Sequence, residues 1–304
     1  MRKRLSAIPL MCGALLSLAA CGNYAIPDST PPPSQAVAAN PFEAAEEDAG
    51  FLAMLTHGAA SADFSESGER LPFPYDGGEF RLEYQFSLSG KMDTVGFLLF
   101  LDGQPQPYKV NDTTAGYEYC HSFPAKEDQS FSFLFEPVTG SAGDTLALTV
   151  VSITNPDFQP DMESTSSYGW YHKTLDSCVE LKFNVDAPAA HSDLPPVREI
   201  FSQSEAREEK VTARYVENEL PKYGWGGVSM DTLDSGIYYT FSCDGGITYD
   251  NLLVSAPVPL RFTMCGTAGT SYSIAFFLDH QPVKLDESTC CSVALSKGGV
   301  MELE

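Results

Sequence analysis

The sequence predicts an all-β protein built as two tandem β-sandwich domains, the second incomplete at its C-terminal end. Three observations carry this reading. Short apolar runs are punctuated by 24 Gly and 21 Pro in 304 residues, the texture of many strands joined by turns. Phe80, Leu82, Tyr84, Phe86 and Leu88 alternate with Arg81, Glu83, Gln85 and Ser87, the period-two pattern of a strand with one face on a core. A segment also occurs twice: Gly96–Pro105, GFLLFLDGQP, returns as Ile274–Pro282, IAFFLDHQP. Phe100, Leu101, Asp102, Gln104 and Pro105 recur as Phe277, Leu278, Asp279, Gln281 and Pro282, and Phe86–Gly90 precedes the first copy much as Phe262–Gly266 precedes the second.

The chain begins with Met1-Arg-Lys-Arg4, a cationic start, followed by the apolar run Leu5–Ala20, which contains Pro9. That run is too short for a membrane span and has the length of a signal-peptide core. It ends in Leu18-Ala19-Ala20-Cys21, which resembles the lipobox of bacterial lipoproteins. The resemblance covers only this segment. It implies removal of residues 1–20 and a diacylglyceryl group on Cys21, so the partner is a lipid bilayer and the folded part lies outside the cytoplasm. Two acyl chains anchor stably where one holds marginally. Residues 22–41, GNYAIPDSTPPPSQAVAANP, read as an extended tether. Asn40-Pro41 before Glu43, Glu46 and Glu47 is a helix start, and Phe51, Leu52 and Leu55 would dock such a helix. Residues 21–69 are therefore tether plus a short helix.

The first domain, residues 70–186, takes Phe80–Leu88, the nearly continuous apolar run Val95–Leu101, the return Gln104–Val110, Phe131–Phe135, Thr145–Ile153 and Cys178–Val185 as strands. Asp102-Gly103 supplies a positive-φ hairpin turn. Six or seven strands at this turn spacing predict an immunoglobulin-like sandwich. Residues 187–227 form a linker, in which Ser204–Leu220 carries helix formers and β-branched residues alike. The second domain, residues 228–304, takes Ile237–Cys243, Leu252–Val254, Val258–Met264, Tyr272–Leu278, Cys291–Leu295 and Val300–Leu303. Val300–Leu303 sits where Phe131–Phe135 sits in the first copy, and the strands that follow there have no counterpart. Either the reading frame is truncated, or another strand, from this chain or a neighbour, fills the open edge.

The formal charge is −23, and about −26 once Arg2, Lys3 and Arg4 leave with residues 1–20. Such acidity excludes nucleic acid as a partner, because phosphate binding needs clustered Lys and Arg. Neither a hydrolase nor a dinucleotide motif occurs, and none of the five His and eight Cys has metal-ligand spacing. No cofactor, metal or catalytic residue is indicated. Within the domains, Cys120–Cys178 and Cys243–Cys265 can pair, or remain buried thiols. The candidate ligand contacts are Tyr168, Trp170, Tyr171, Tyr223 and Trp225, aromatic faces that stack on sugar rings or anchor a protein, or else pack over a sheet edge. The expected function is a non-catalytic binding or structural module at the cell envelope, with a glycan or protein ligand. The alternatives are a glycan-acting enzyme and a degenerate remnant.

Overall fold

The computed structural model describes residues 54–304 except 91, 112–115, 127, 158–173, 189–194, 196, 198–205, 244–245, 248–258, 285–287 and 304. The described residues belong to one compact unit, Gly50–Glu304, and are mostly strand.

The first sandwich contains β1 (Met54–Ala59), β2 (Phe73–Tyr75), β3 (Phe80–Ser89), β4 (Thr94–Leu101), β5 (Gln104–Gln106), β6 (Lys109–Val110), β7 (His121–Pro124), β8 (Asp128–Phe135), β9 (Thr145–Thr154) and β10 (Thr174–Phe183). One sheet has the order β1-β3-β8-β6, and the facing sheet β2-β10-β9-β4-β5, with β7 also on β4. β3 points Leu82, Tyr84, Phe86 and Leu88 inward, as its alternation predicts, while its polar residues stay exposed. Phe97 of β4 is the hub between the sheets. Its ring lies 5.9 Å from Tyr84, 5.8 Å from Phe86, 5.7 Å from Phe131 and 5.8 Å from Phe133. Edge-on and tilted pairs of this kind add to area burial.

The N-terminal boundary differs from the sequence reading. Met54–Ala59, assigned to the tether, is a strand that pairs with β3 from Met54↔Ser89 to Ala59↔Tyr84. Leu55 docks on the core from this strand and not from a helix. The physical reason is the edge of β3, whose backbone groups find partners in a neighbouring strand. The predicted helix start near Asn40 lies outside the described residues.

The second sandwich contains β11 (Ala206–Lys210), β12 (Ile237–Cys243), β13 (Gly246–Ile247), β14 (Leu260–Gly266), β15 (Ser271–Ile274), β16 (Phe277–Leu278), β17 (Gln281–Pro282), β18 (Cys291–Ala294) and β19 (Gly299–Leu303). Its larger sheet runs β11-β19-β14-β12-β13, and β15-β18 and β16-β17 form two small ribbons. The linker of the sequence reading is thus partly folded structure. β11 pairs with β19, and helical turns over Tyr215–Glu219, Leu220–Tyr223 and Leu233–Ser235 follow. The ambiguous Ser204–Leu220 resolves into strand and then helical turn. Thr212 marks the change, its Oγ1 accepting the Tyr215 N–H at 3.2 Å, the usual way a hydroxyl caps a helical start. Val211, Val216, Leu220 and Leu233 pack with Cys265 over one face of the sheet.

The repeat is visible in the pairing. β14 pairs with β19 as β3 pairs with β8, and β15 pairs with β18 as β4 pairs with β7. Asp102 and Gly103 have φ of 48° and 80°, and Asp279 and His280 have 49° and 60°, the left-handed pair that a tight hairpin turn requires. Each turn closes a hairpin, Leu101↔Gln104 and Leu278↔Gln281. The two copies also touch. Phe100 meets its own counterpart Phe277 edge-on at 5.6 Å, and His280 Nε2–H donates to the Pro156 carbonyl at 2.6 Å.

No disulfide joins the predicted pairs. Cys120, Cys178 and Cys265 are free thiols, as are Cys290 and Cys291. Cys120 is packed near Pro156 on the side of β4 where Gly96 leaves room, while Cys178 is exposed beside Thr149 of β9. Burial pushes the Cys120 thiol up to about 12 and Cys265 up to about 11, so both stay protonated and inert.

Candidate functional site

The sequence-predicted contacts divide into two groups. Cys21, Tyr168, Trp170 and Tyr171 lie outside the described residues. Tyr223 and Trp225 are described, and the structure explains their spacing. Pro221 opens the helical turn Leu220–Tyr223, and Gly224 at φ 87° ends it, its N–H donating to the Leu220 and Pro221 carbonyls. This is the glycine C-cap that terminates a helix. The Trp225 N–H then returns to Leu220 O at 3.1 Å, which lays the indole over the apolar cluster of the helical turns. The ring Nε1–H donates to Tyr239 O at 2.7 Å, and the ring meets Tyr238 at 5.6 Å and Tyr239 at 5.5 Å, both edge-on. Trp225 is half-buried and anchored by this bond to the β12 backbone. Tyr223 is half-buried too.

What Trp225 borders is an aromatic row. The β12–β14 register places Phe241 opposite Phe262, Tyr239 opposite Met264 and Ile237 opposite Gly266. β19 continues the face with Met301 and Leu303. Met264, Met301 and Leu303 are buried against Leu295 and, from the β15–β18 ribbon side, Tyr272, Ile274, Phe276 and Val293. This is therefore the inner face of the sandwich. Yet at β12 it lies open: Tyr239 is 51% exposed and Ile237 43% exposed. Tyr239 stacks on Phe262 at 6.2 Å and 25°, Phe241 on Phe276 at 6.2 Å and 24°, and Phe262 meets Phe276 edge-on at 5.3 Å. A contiguous apolar, aromatic strip on a surface is the ordinary mark of a binding face.

The first sandwich shows why the strip is open. There β1 occupies the place that β12 occupies in the second, and its inner face is covered by β10. Leu55 and Ala59 pack on the core, and His57 bridges the sheets. The His57 Nε2–H donates to Leu175 O at 3.1 Å, so Nδ1 accepts from the Tyr84 hydroxyl at 2.6 Å. A carbonyl can only accept, which fixes the tautomer. Desolvation holds the His57 pKa below the ordinary value, against the opposing pull of the Leu175 carbonyl and Asp176. Among the described residues, no strand takes the place of β9 or β10 in the second sandwich. Tyr239 and Ile237 were legible as strand residues, and their alternation with Tyr238 and Thr240 gives the face. Their exposure is not legible, since it depends on which strands lie opposite.

A second feature lies on the outer face of the first sandwich. A shallow concavity of about 370 Å³ is lined by Thr56–Gly58, Gln85–Ser87 and Asp128–Ser130. The registers align Thr56, Ser87 and Asp128 in one row and Gly58, Gln85 and Ser130 in the next. Its outward side chains are small hydroxyls, an amide and one carboxylate. It has hydrogen-bonding groups but no outward aromatic platform, so the strip of the second sandwich is the stronger candidate.

No family model matches this chain, and no curated protein matches it either. Among solved structures, the chain is similar to the crystal structure of the CsuC-CsuE chaperone–tip adhesion subunit pre-assembly complex from archaic chaperone-usher Csu pili of Acinetobacter baumannii. Identity is 7%, over 76% of this chain and 82% of that one, with a TM-score of 0.18. At that score the likeness defines no shared topology.

Proposed function

We propose that this chain is a lipid-anchored protein of the bacterial cell envelope, built of two tandem immunoglobulin-like sandwiches and acting as a non-catalytic binding module. The address rests on the cationic start, apolar run and Leu18-Ala19-Ala20-Cys21. The immunoglobulin-like reading is supported by strand order. β1-β3-β8-β6 faces β2-β10-β9-β4-β5, which matches an ABED sheet opposite a GFCC′ sheet, with the first strand divided between the two. The observation that carries binding is the open aromatic strip at Ile237, Tyr239, Phe241 and Phe262. A polar catalytic cleft is not what these residues make. They offer apolar area and π-faces, which suit a partner's apolar side chains.

Two measurements test this reading. Expressed in a bacterium fed labelled palmitate, the chain should acquire label and Cys21→Ala should not; an unlabelled wild-type chain overturns the anchor. The full chain should also bind within a panel of envelope glycans and extracellular proteins, and Tyr239→Ser should weaken that binding. Binding that ignores Tyr239 overturns the assignment of the face.

A further inference from the structure

We propose that the second sandwich is completed by strand addition: an extended segment of a different polypeptide lies along the edge of β15 that no described strand pairs, and seats alternate apolar side chains on Tyr239, Phe241 and Phe262. This deepens the binding-module reading and rests on it. The duplicated fold supplies the template. In the first sandwich β9 runs antiparallel to β4 from Val95↔Thr154 to Leu101↔Leu148, and sends Leu148 and Val150 into the core. β15 and β16 are the counterparts of β4: β15 has its β18 where β4 has β7, and β16 turns into β17 where β4 turns into β5. The remaining side of β4 is the β9 side. Among the described residues, no strand of the second sandwich takes that position or the β10 position beyond it, a width of about 10 Å, two strand spacings.

The inner face already has the groups to receive such a segment. Main-chain groups along an edge supply affinity, and alternate side chains dropping into apolar pockets supply specificity. Charge selects among the sources. The chain carries −23, so a second copy would bring the same charge to the same edge, and self-repulsion opposes closure between copies. The fitting occupant is a heterologous segment with the chemistry of β9, apolar at every second position and β-branched, with neutral or basic flanks.

The probe is a peptide with the sequence of Thr145–Thr154 and two lysines at each end, fluorescently labelled. It is titrated against the full chain in phosphatidylcholine vesicles, with empty vesicles and a scrambled peptide as controls. The expected result is saturable binding of the ordered peptide alone and slowed amide exchange confined to Ser271–Leu278. Tyr239→Lys, at an exposed position that leaves the core intact, should weaken binding by roughly tenfold or more. The proposal is overturned by no binding, by binding that Tyr239→Lys leaves unchanged, or by protection elsewhere. It is equally overturned if the amides of Ser271–Ile274 that point away from β18 are already protected without peptide, or if a dimer of the chain excludes the peptide. A chain that captures envelope partners through another surface yet ignores this peptide loses this inference alone. One that binds the peptide without carrying lipid loses only the envelope address.

Discussion

The two sandwiches share a hairpin, a turn and a pairing scheme, and differ in how much of the core each encloses. In the first, ten described strands close two sheets over a cluster whose central rings, Phe97, Phe133 and Phe135, have no exposed surface. In the second, β11 from the preceding segment pairs on the outer side of β19, as β6 pairs on the outer side of β8, and helical turns cover the outer face. On the inner face at β12, Ile237 and Tyr239 stay exposed. The same strand pattern therefore gives a buried face or an exposed face according to what lies opposite. Amphipathic alternation specifies which side is apolar, and only the partner strands determine whether that side meets protein or water.

The two cores should respond most differently to the loss of one ring from each. Phe97→Ala should cost about 3–5 kcal/mol, the usual range for a fully enclosed aromatic. Phe262→Ala, on the half-open face, should cost roughly 1–2 kcal/mol, since part of its area is already in water. Urea denaturation of both variants measures the contrast. Equal losses would show that the second face is enclosed in solution.

A subtler probe uses the shared turn. Gly103 and His280 occupy equivalent positions at positive φ, so the turn itself accepts a side chain. Gly103 is held to glycine by its neighbour: a Cβ there would stand 2.5 Å from the Ser273 Cβ. Gly103→Ala should cost about 1–3 kcal/mol, and Ser273→Gly should recover part of it, with a coupling of about 1 kcal/mol in a double-mutant cycle. Additive losses would place the penalty in the turn and not in the contact between copies.

The inter-sheet bridge gives the first sandwich a pH dependence that the second has no counterpart for among the described residues. Burial lowers the folded pKa of His57 below the ordinary 6.5. As pH falls through 6.5 the unfolded chain takes up the proton first, so it binds more protons and stability declines. The decline stops once the folded pKa is passed. His57→Gln should flatten this part of the stability profile between neutral and acidic pH, measured as the difference between the two melting curves. A parallel pair of profiles would show that His57 is not the group responsible.

Much of this fold was legible because its signals are local. Phe80–Leu88 alternates, Val95–Leu101 is apolar throughout, and Asp102-Gly103 is turn chemistry, so β3, β4 and their hairpin follow directly. Met54–Ala59, MLTHGA, has no strong period, and its strand state is imposed by the edge of β3. Tyr272–Leu278 reads as one strand in sequence, yet it divides into β15 and β16, with Ala275 and Phe276 between them. Of the candidate site, the aromatic surroundings of Trp225 single it out in the sequence, while Tyr239 and Ile237 read only as strand residues. Exposure of this kind depends on which strands lie across the core, and no local pattern encodes that.

The smallest expected effect is the one that discriminates most sharply. Tyr239→Ser removes a large aromatic ring from the inner face of a sandwich, where the first domain's geometry would make the loss severe. Because the ring is 51% exposed, the open-face reading predicts a cost of only about 0.5–1 kcal/mol, most of it the stacking on Phe262 and the edge contact with Trp225. Thermal denaturation of the full chain should therefore show Tyr239→Ser melting close to wild type. A loss above roughly 2 kcal/mol belongs to enclosed side chains and would mean that another segment covers the strip. A partner strand changes the expectation in a defined way. With a saturating β9-sequence peptide the wild-type chain should gain stability by mass action, and the gain should shrink in Tyr239→Ser, so that the gap between the two widens only when the groove is filled.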